Sequence, residues 1–395
     1  MTTSSGTLVR EEAISRAASL VPVLRERAVR TEALRRIPDD TFADLVTSGL
    51  MRITQPRRFG GAELPLTDAF DIINLLAQGC GSTGWTYALL TSHGWFLSQF
   101  PDEAQRDVWG PNPDAVMSSS FSGGVPPSVT GDGFHIGEGT WRFSTGVHHA
   151  NWVALLAPVP CPDAPPEPLF LLIPKDEIEI VEDWRSAGLA GSGSCSILAR
   201  DIFVPRHRTL RLRDVLDATS PGRAVNEGPL YKLPLVGSWQ VFLTTAATGI
   251  ARAAMDAWIT RAKGRVHAYT GASLAGDPVG LVHLGSAGAR IETAETLIKQ
   301  VAEKVTAEVT ATGVVTDETR ARGRRDYAFA VRLCVEAVEE LFLAAGASTL
   351  DESSPIQRCW RDVHAVAQHT ANNLDIAFRS WGERALGLSD GLRFG

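Results

Sequence analysis

A chain of 395 residues is long for one hydrophobic core, since domains usually run to ~100–200 residues, so two or three structural units are expected. With 44% hydrophobic and 21% charged residues the balance is that of a soluble globular protein, and a formal net charge of -7 argues against the broad basic face that nucleic-acid binding needs. Five cysteines at positions 80, 161, 195, 334 and 359 are odd in number and widely spaced, which fits reduced thiols in a cytoplasmic protein, and no two approach the CxxC spacing of a zinc site.

The N-terminus carries no apolar core of a secretory signal. Up to about residue 110 the periodicity is helical, as in Phe42, Leu45, Val46 and Leu50 after Pro38-Asp39-Asp40, where an Asp can cap free N–H groups. Residues 1–114 therefore read as an N-terminal α-helical domain. From Ala115 to about Pro205 short extended runs alternate with turn signals such as Asp132-Gly133, the pattern of a small β domain over residues 115–210. Within it, Pro160 to Pro168 reads as a hairpin loop or surface excursion, because proline removes ladder donors. In Trp141-Arg142-Phe143-Ser144-Thr145-Gly146, strand alternation sends Trp141 and Phe143 to one face and Arg142 and Ser144 to the other.

After Arg206 the helical period returns. Leu233 to Ala251 has no charge but is interrupted by Pro234, Ser238, Gln240 and three threonines, so it reads as a buried helix and not a membrane span. Leu284, Ala287, Ile291, Ala294, Ile298, Val301 and Val305 step by three and four along one helix face, as do Tyr327, Val331, Cys334, Val338, Leu341 and Ala345. Val363, Ala367, Thr370, Leu374, Ala377 and Trp381 repeat the pattern in a last helix. With the helix from Trp239 to about Arg265, these make a four-helix bundle over residues 211–395. On the last helix His369 falls off the apolar seam, on a face with Asp362, Val366, Asn372, Asn373 and Ile376.

Several chemistries lose their usual anchors. No GxGxxG follows a strand, and there is no GxxxxGK or GxSxG, so a nicotinamide fold, a P-loop and an α/β-hydrolase are not indicated. Gly191-Ser192-Gly193-Ser194 reads as a turn. His148-His149 and the pair His364 and His369 offer metal-ligand chemistry, but residues five apart on a helix point in different directions, and no metal is expected.

Gly81-Ser82-Thr83-Gly84-Trp85, His93, Trp141 to Gly146 and Arg361 to Asn373 together resemble the oxygenase components of two-component flavin-dependent monooxygenases, from about Leu34 to Leu388. The resemblance implies the acyl-CoA dehydrogenase-like fold: mainly α, with an N-terminal helical domain, a middle β-barrel domain and a C-terminal four-helix bundle. It further implies reduced FMN or FAD as cofactor and O2 as co-substrate, with a C4a-hydroperoxyflavin that hydroxylates a phenolic or polycyclic aromatic substrate. The absence of a nicotinamide fingerprint implies a separate NAD(P)H flavin reductase, and the relatives' habit implies a homotetramer.

On the same resemblance, Ser144 would bond the flavin N5 position, beside Trp141, and His369 or its neighbour Thr370 would lie next to the ring. In the dehydrogenases that share the fold a Glu in this stretch often serves as base, whereas no carboxylate follows here until Asp375. His93 matches a histidine that deprotonates the substrate hydroxyl, a task its pKa near ~6.5 suits. Ser118, Ser119 and Ser120 sit where relatives contact substrate or flavin, and Ser119 is the favoured member. Arg265, with Arg261 as its rival, would reach a flavin phosphate of a neighbouring subunit through paired N–H donors. Arg361 and Asp362 are structural in the relatives. N- or S-oxygenation, and an acyl-CoA dehydrogenase-like or inert helical protein, remain open at this point.

Overall fold

A computed structural model describes residues 7–161, 164–266, 271 and 273–388. Five helices come first: α1 (Arg10–Leu34), α2 (Asp39–Thr47), α3 (Leu66–Gly79), α4 (Gly81–Leu97) and α5 (Asp102–Trp109). Helix α4 is made of small, hydroxyl-bearing and aromatic residues with almost no polar face, and all of it except Gly94 is buried. A helix apolar on every side belongs inside a protein. It packs between α3, α7 and the first strand, so whatever it carries is held from several directions.

The strands are β1 (Met117–Ser120), β2 (Ser122–Gly123), β3 (Ser128–Thr130), β4 (Gly133–Ser144), β5 (Trp152–Cys161), β6 (Ala164–Pro174), β7 (Ile178–Val181), β8 (Cys195–Pro205) and β9 (Thr209–Arg211). They form two sheets, one in the order β1-β5-β6-β9 and one in the order β2-β4-β8-β7 with β3 also on β4. Ile136, Trp141, Val153, Leu155, Leu171 and Ile197 fill the space between them.

The proline-rich stretch differs from expectation. Pro158 and Pro160 lie in β5, and Pro165, Pro166 and Pro168 in β6, paired through Pro158↔Pro168 and Cys161↔Ala164. Residues 162 and 163 lie outside the described set. Before Leu169 β6 has no pairing with β9, so the prolines there forfeit no ladder bond on that edge.

After α6 (Leu212–Leu216) the bundle is built from α7 (Gln240–Gly264), α8 (Pro278–Thr312), α9 (Asp317–Ala344) and a fourth column, α10 (Pro355–Ala367) followed by α11 (Leu374–Ala385). The apolar stripes of α8 and α9 are buried where the three-four spacing puts them. The uncharged run from Leu233 is helical only from Gln240 onward, and no helix among the described residues is long and apolar enough to cross a membrane.

The last helix is not continuous. It ends at Ala367 and resumes at Leu374, with His369 in extended backbone between (φ -65, ψ 135). Two side chains cause the break: His369 Nδ1 accepts the Ala371 N–H at 3.2 Å, and Asn373 Oδ1 accepts the Ile376 N–H at 3.0 Å. Side chains that take over backbone donors compete with the helix they interrupt and start the next one. The polar helical stripe expected around His369 is therefore a capped corner.

Candidate active site

Three serines of β1 divide their tasks by strand alternation. Ser118 Oγ lies 2.7 Å from Ser144 Oγ and donates to the Thr145 carbonyl at 2.8 Å. Ser119, on the opposite face, meets His93 of α4, with Oγ 2.7 Å from Nε2. Ser120 turns back to the Arg142 carbonyl at 2.5 Å. All three are buried, as are Ser144 and His93.

Ser144 reaches Ser118 because the alternation of β4 breaks. Phe143 adopts a positive φ of 64° and the register with β8 shifts between Trp141 and Ser144, so Trp141 and Ser144 point inward while Arg142 and Phe143 are exposed. This corrects the regular alternation read from the sequence; a bulge inserts one residue and flips the facing of those that follow. Trp141 sits wholly in the core between the sheets, its indole N–H on the Leu156 carbonyl at 2.7 Å.

The Gly191–Ser194 segment, read as a turn, extends the hydroxyl network. Thr145 Oγ1 and Ser194 Oγ lie 2.8 Å apart, as do Ser192 Oγ and Ser194 Oγ, and Gly191 N–H donates to Ser82 Oγ of α4 at 3.2 Å. Gly146, with φ 70°, donates its N–H to the Ser192 carbonyl, and a Cβ there would stand 2.9 Å from Thr86 Cγ2. Only glycine satisfies both the backbone and the space. The signal missed in the sequence was the run of small hydroxyl residues in α4, which faces this loop.

Asp362 of α10 holds the loop from below. Its carboxylate accepts the Leu189 N–H at 2.6 Å, and Leu189 is itself in the left-handed region at φ 50°. A Cβ on Gly81 would come 2.6 Å from Asp362 Oδ2, so the carboxylate fits only against glycine. Burial pushes the Asp362 carboxyl up to about 6, against the pull of the Leu189 N–H and Arg361. Asp362→Ala is expected to cost about 1–3 kcal/mol, the penalty of leaving the buried Leu189 donor unmet, measured by denaturant unfolding.

His369 packs edge-on against Trp85, ring centroids 5.7 Å apart. It is half-buried, and burial lowers its pKa to about 4. His93 is more enclosed, and burial takes it to about 3, with the Met117 backbone a weaker opposing influence. The native state thus keeps His93 neutral, whereas the unfolded chain binds a proton below ~6.5. The stability this neutral ring contributes is complete above pH ~6.5 and falls with acid at about 1.4 kcal/mol per pH unit down to its folded pKa. His93→Gln should flatten the acid side of a stability-versus-pH curve measured by chemical denaturation. Asp362 works in the opposite sense between its unfolded and folded values, because its raised pKa makes the native state the better proton binder.

Arg265 lies elsewhere, just past the end of α7, with Nη1 on Ser348 Oγ at 2.7 Å; Arg261 donates to the Ala345 carbonyl at 2.9 Å. Neither takes part in the hydroxyl network. The two histidine pairs do not converge on one point either: His148 Nε2 contacts Glu182 at 2.8 Å, His149 Nε2 the Ile37 carbonyl and His364 Nδ1 the Trp360 carbonyl. Cys195 lies beside His148 and Glu182, with the three potential ligand atoms within 4.8 Å of one another, and burial pushes its thiol up to about 11. A groove on the outer face of α8, α9 and α10, lined by His283, Arg290, Glu336, Glu340 and His364, shares no residue with the site.

The sequence matches the acyl-CoA dehydrogenase N-terminal domain over residues 8–112 and the acyl-CoA dehydrogenase C-terminal domain over residues 241–374. It is 35% identical over 372 residues to the flavin-dependent monooxygenase oxygenase subunit HsaA of Rhodococcus jostii, covering 94% of this chain and 97% of that one. The chain belongs to the oxygenase components of flavin-dependent monooxygenases. The FADH(2)-dependent resorcinol hydroxylase oxygenase component of a Rhizobium species is 33% identical, over 95% of this chain and 94% of that protein. The crystal structure of the 3-HSA hydroxylase from Rhodococcus sp. RHA1 superposes with a TM-score of 0.91 at 34% identity, covering 96% of this chain and 98% of that one.

As an oxygenase component it uses reduced flavin and O2, and works with a separate partner component. The site fits such a cofactor chemically. Ser144, Ser118, Thr145, Ser192 and Ser194 form a neutral cradle of hydroxyls that both donate and accept, as the alternating polar edge of a flavin requires. Asn372, beside His369, leaves a buried Oδ1 with no partner, an acceptor available to a ligand N–H.

Proposed function

We propose that this oxygenase component hydroxylates a phenolic or polycyclic aromatic substrate, with reduced flavin delivered by a separate NAD(P)H flavin reductase in the cytoplasm. The observation that carries the reading is the His93–Ser119 pair, set one residue along β1 from Ser118–Ser144. Assigning the Nε2–H of His93 to Ser119 Oγ leaves the lone pair on Nδ1, the ring atom that has no hydrogen-bond partner and that would receive a phenolic proton. A phenol that loses its proton becomes electron-rich at the ortho carbon and so attacks an electrophilic oxygen.

Bound reduced flavin supplies the two electrons that let one atom of O2 enter the ring while the other leaves as water. Ser144 and His369 would border it, Ser144 donating its proton to Ser118 and so turning its lone pairs outward, and His369 packing against Trp85. Burial of Ser144 and the Trp85 ring beside His369 exclude the water that would otherwise divert oxygen to hydrogen peroxide. Trp141 supports the bulge that presents Ser144. Arg265 belongs to the same reading as a phosphate-binding arginine of a homotetramer, in which its guanidinium meets a neighbour's flavin. The division into residues 1–114, 115–210 and 211–395 is part of this proposal.

The reading is tested by mixing anaerobic protein with reduced FMN or, in parallel, FADH2, then adding O2 and a panel of phenols. Hydroxylated product in near-stoichiometric yield with at least one phenol is the expected result. Protein that binds no reduced flavin, or that returns only hydrogen peroxide with every phenol, would overturn it.

A further inference from the structure

Among the described residues, Trp239 is the one tryptophan whose indole N–H is wholly buried and has no acceptor. Trp95, Trp109, Trp141 and Trp184 donate to the carbonyls of Leu230, Ala115, Leu156 and Leu189, and Trp360 donates to the Glu339 carboxylate. Trp239 is 8% exposed and its Nε1 has no partner. A buried donor left unmet is costly, so one that persists beside a reaction centre calls for a ligand.

Its position is fixed firmly. Trp239 precedes α7 in a tight corner: Gly237, at φ 89°, would place a Cβ 2.7 Å from Arg320 Cα, its N–H is taken by Gln240 Oε1 at 2.7 Å, and Trp239 N–H returns to the Leu235 carbonyl. The backbone that carries the indole is therefore held in place on both sides of the corner. Around it stand His93 at 6.2 Å between ring centroids, Phe121 stacked at 5.9 Å and Phe96 at 6.4 Å. The second nitrogen without a partner in this enclosure is His93 Nδ1. An acceptor lone pair and an N–H donor thus belong to two neighbouring rings inside an aromatic wall.

We propose that Trp239 is a catalytic residue of the hydroxylation, its indole N–H donating to the substrate's phenolic oxygen as His93 Nδ1 removes the proton from that same oxygen. This rests on the phenol-hydroxylase reading above. The proton passes from oxygen to Nδ1, the oxygen keeps the electron pair of the broken O–H bond, and the N–H of Trp239 stabilises the negative charge that develops there. The aid is needed because His93 is a reluctant base: burial draws its pKa to about 3, far below that of a phenol. A fixed neutral donor aimed at developing charge acts strongly in a site shielded from water. Ring neighbours without charge also select a neutral phenol on entry over a substrate already ionised elsewhere, since a second buried anion would lack a counter-charge.

The test uses the full-length protein with reduced flavin and Trp239→Phe, which keeps an aromatic ring and removes the donor. 4-Nitrophenol, whose phenolate has its own absorbance, reports ionisation in the site; a pH titration of the bound ligand should show its apparent pKa raised by roughly one unit in the variant. Hydroxylation of phenols with high pKa should slow roughly tenfold, and that of acidic phenols much less. Equal slowing of all phenols with an unchanged ligand pKa would mean that Trp239 only packs, and the proposal fails. Failure of the underlying reading looks different, because wild-type protein would then bind none of the phenols. Should Trp239→Phe not fold, as judged by circular dichroism, 5-fluorotryptophan incorporation gives the second measurement: the 19F signal of Trp239 should move on 4-nitrophenol binding and follow the ligand's ionisation, and a signal indifferent to that ionisation overturns the proposal.

Discussion

Replacing His93 with alanine is expected to slow phenol hydroxylation by roughly 10²–10⁴-fold, the range for loss of a positioned general base, while reduced-flavin binding stays as it was. The ring reaches its place because α4 is buried along its length and β1 presents Ser119 at 2.7 Å, so the variant loses both the base and its orientation. The pH dependence separates this role from packing. A solvent-exposed histidine base would fail below its pKa of ~6.5. His93, lowered to about 3, remains neutral throughout the working range, so the rate with phenol bound should hold level from pH 8 to about 5. In the alanine variant the rate should climb as pH approaches ~10, where phenols ionise unaided. Rapid-quench product analysis across pH measures both; a variant with a flat profile and no recovery would remove the proton-transfer role. Ser119→Ala should show the same trend at smaller amplitude, because the imidazole remains but its Nε2 is no longer held.

Ser144→Ala should change the fate of oxygen more than its uptake. The hydroxyl lies wholly buried with Ser118 at 2.7 Å, and its removal leaves Ser118 with the Thr145 carbonyl as its partner, so the local fold has little reason to change. What is lost is one preorganised hydroxyl which, with its proton directed to Ser118, offers an acceptor to the cofactor, and a loss of coupling on the order of 10²-fold is expected. The expected readout is hydrogen peroxide in place of hydroxylated product at an O2 consumption rate close to wild type, followed by parallel oxygen-electrode and product assays. Equal coupling in variant and wild type would take Ser144 out of the reaction. His369→Ala removes the ring packed against Trp85 and should uncouple in the same direction, though its partial solvent contact points to a smaller loss.

Some of this molecule could be read directly from the order of its residues. The three-four stripes of α8 and α9 are buried where the spacing places them, because helix periodicity is a local property that every turn repeats. The change from helix to short strands and back is equally local. His93, Ser144 and His369 could be singled out because their residue types suit the chemistry and because several ordered motifs surround them. The sequence could not choose among Ser118, Ser119 and Ser120, since strand alternation gives opposite faces but does not say what each face meets.

Tertiary structure made that choice by bringing α4 to one side of β1 and the bulged end of β4 to the other. The bulge itself was invisible: Phe143 can adopt a positive φ only because the surrounding sheet compensates for the strain. The corner at His369 escaped detection for a related reason, since an apolar three-four spacing continued through it while two side chains claimed the backbone donors. The Gly191–Ser194 loop became part of the site only where its hydroxyls met Thr145 and Ser82, far away in sequence. Periodicity records how a segment buries its own face, which the sequence by itself determines; which polar atoms find each other across elements depends on packing, and in this protein that is where the candidate chemistry lies.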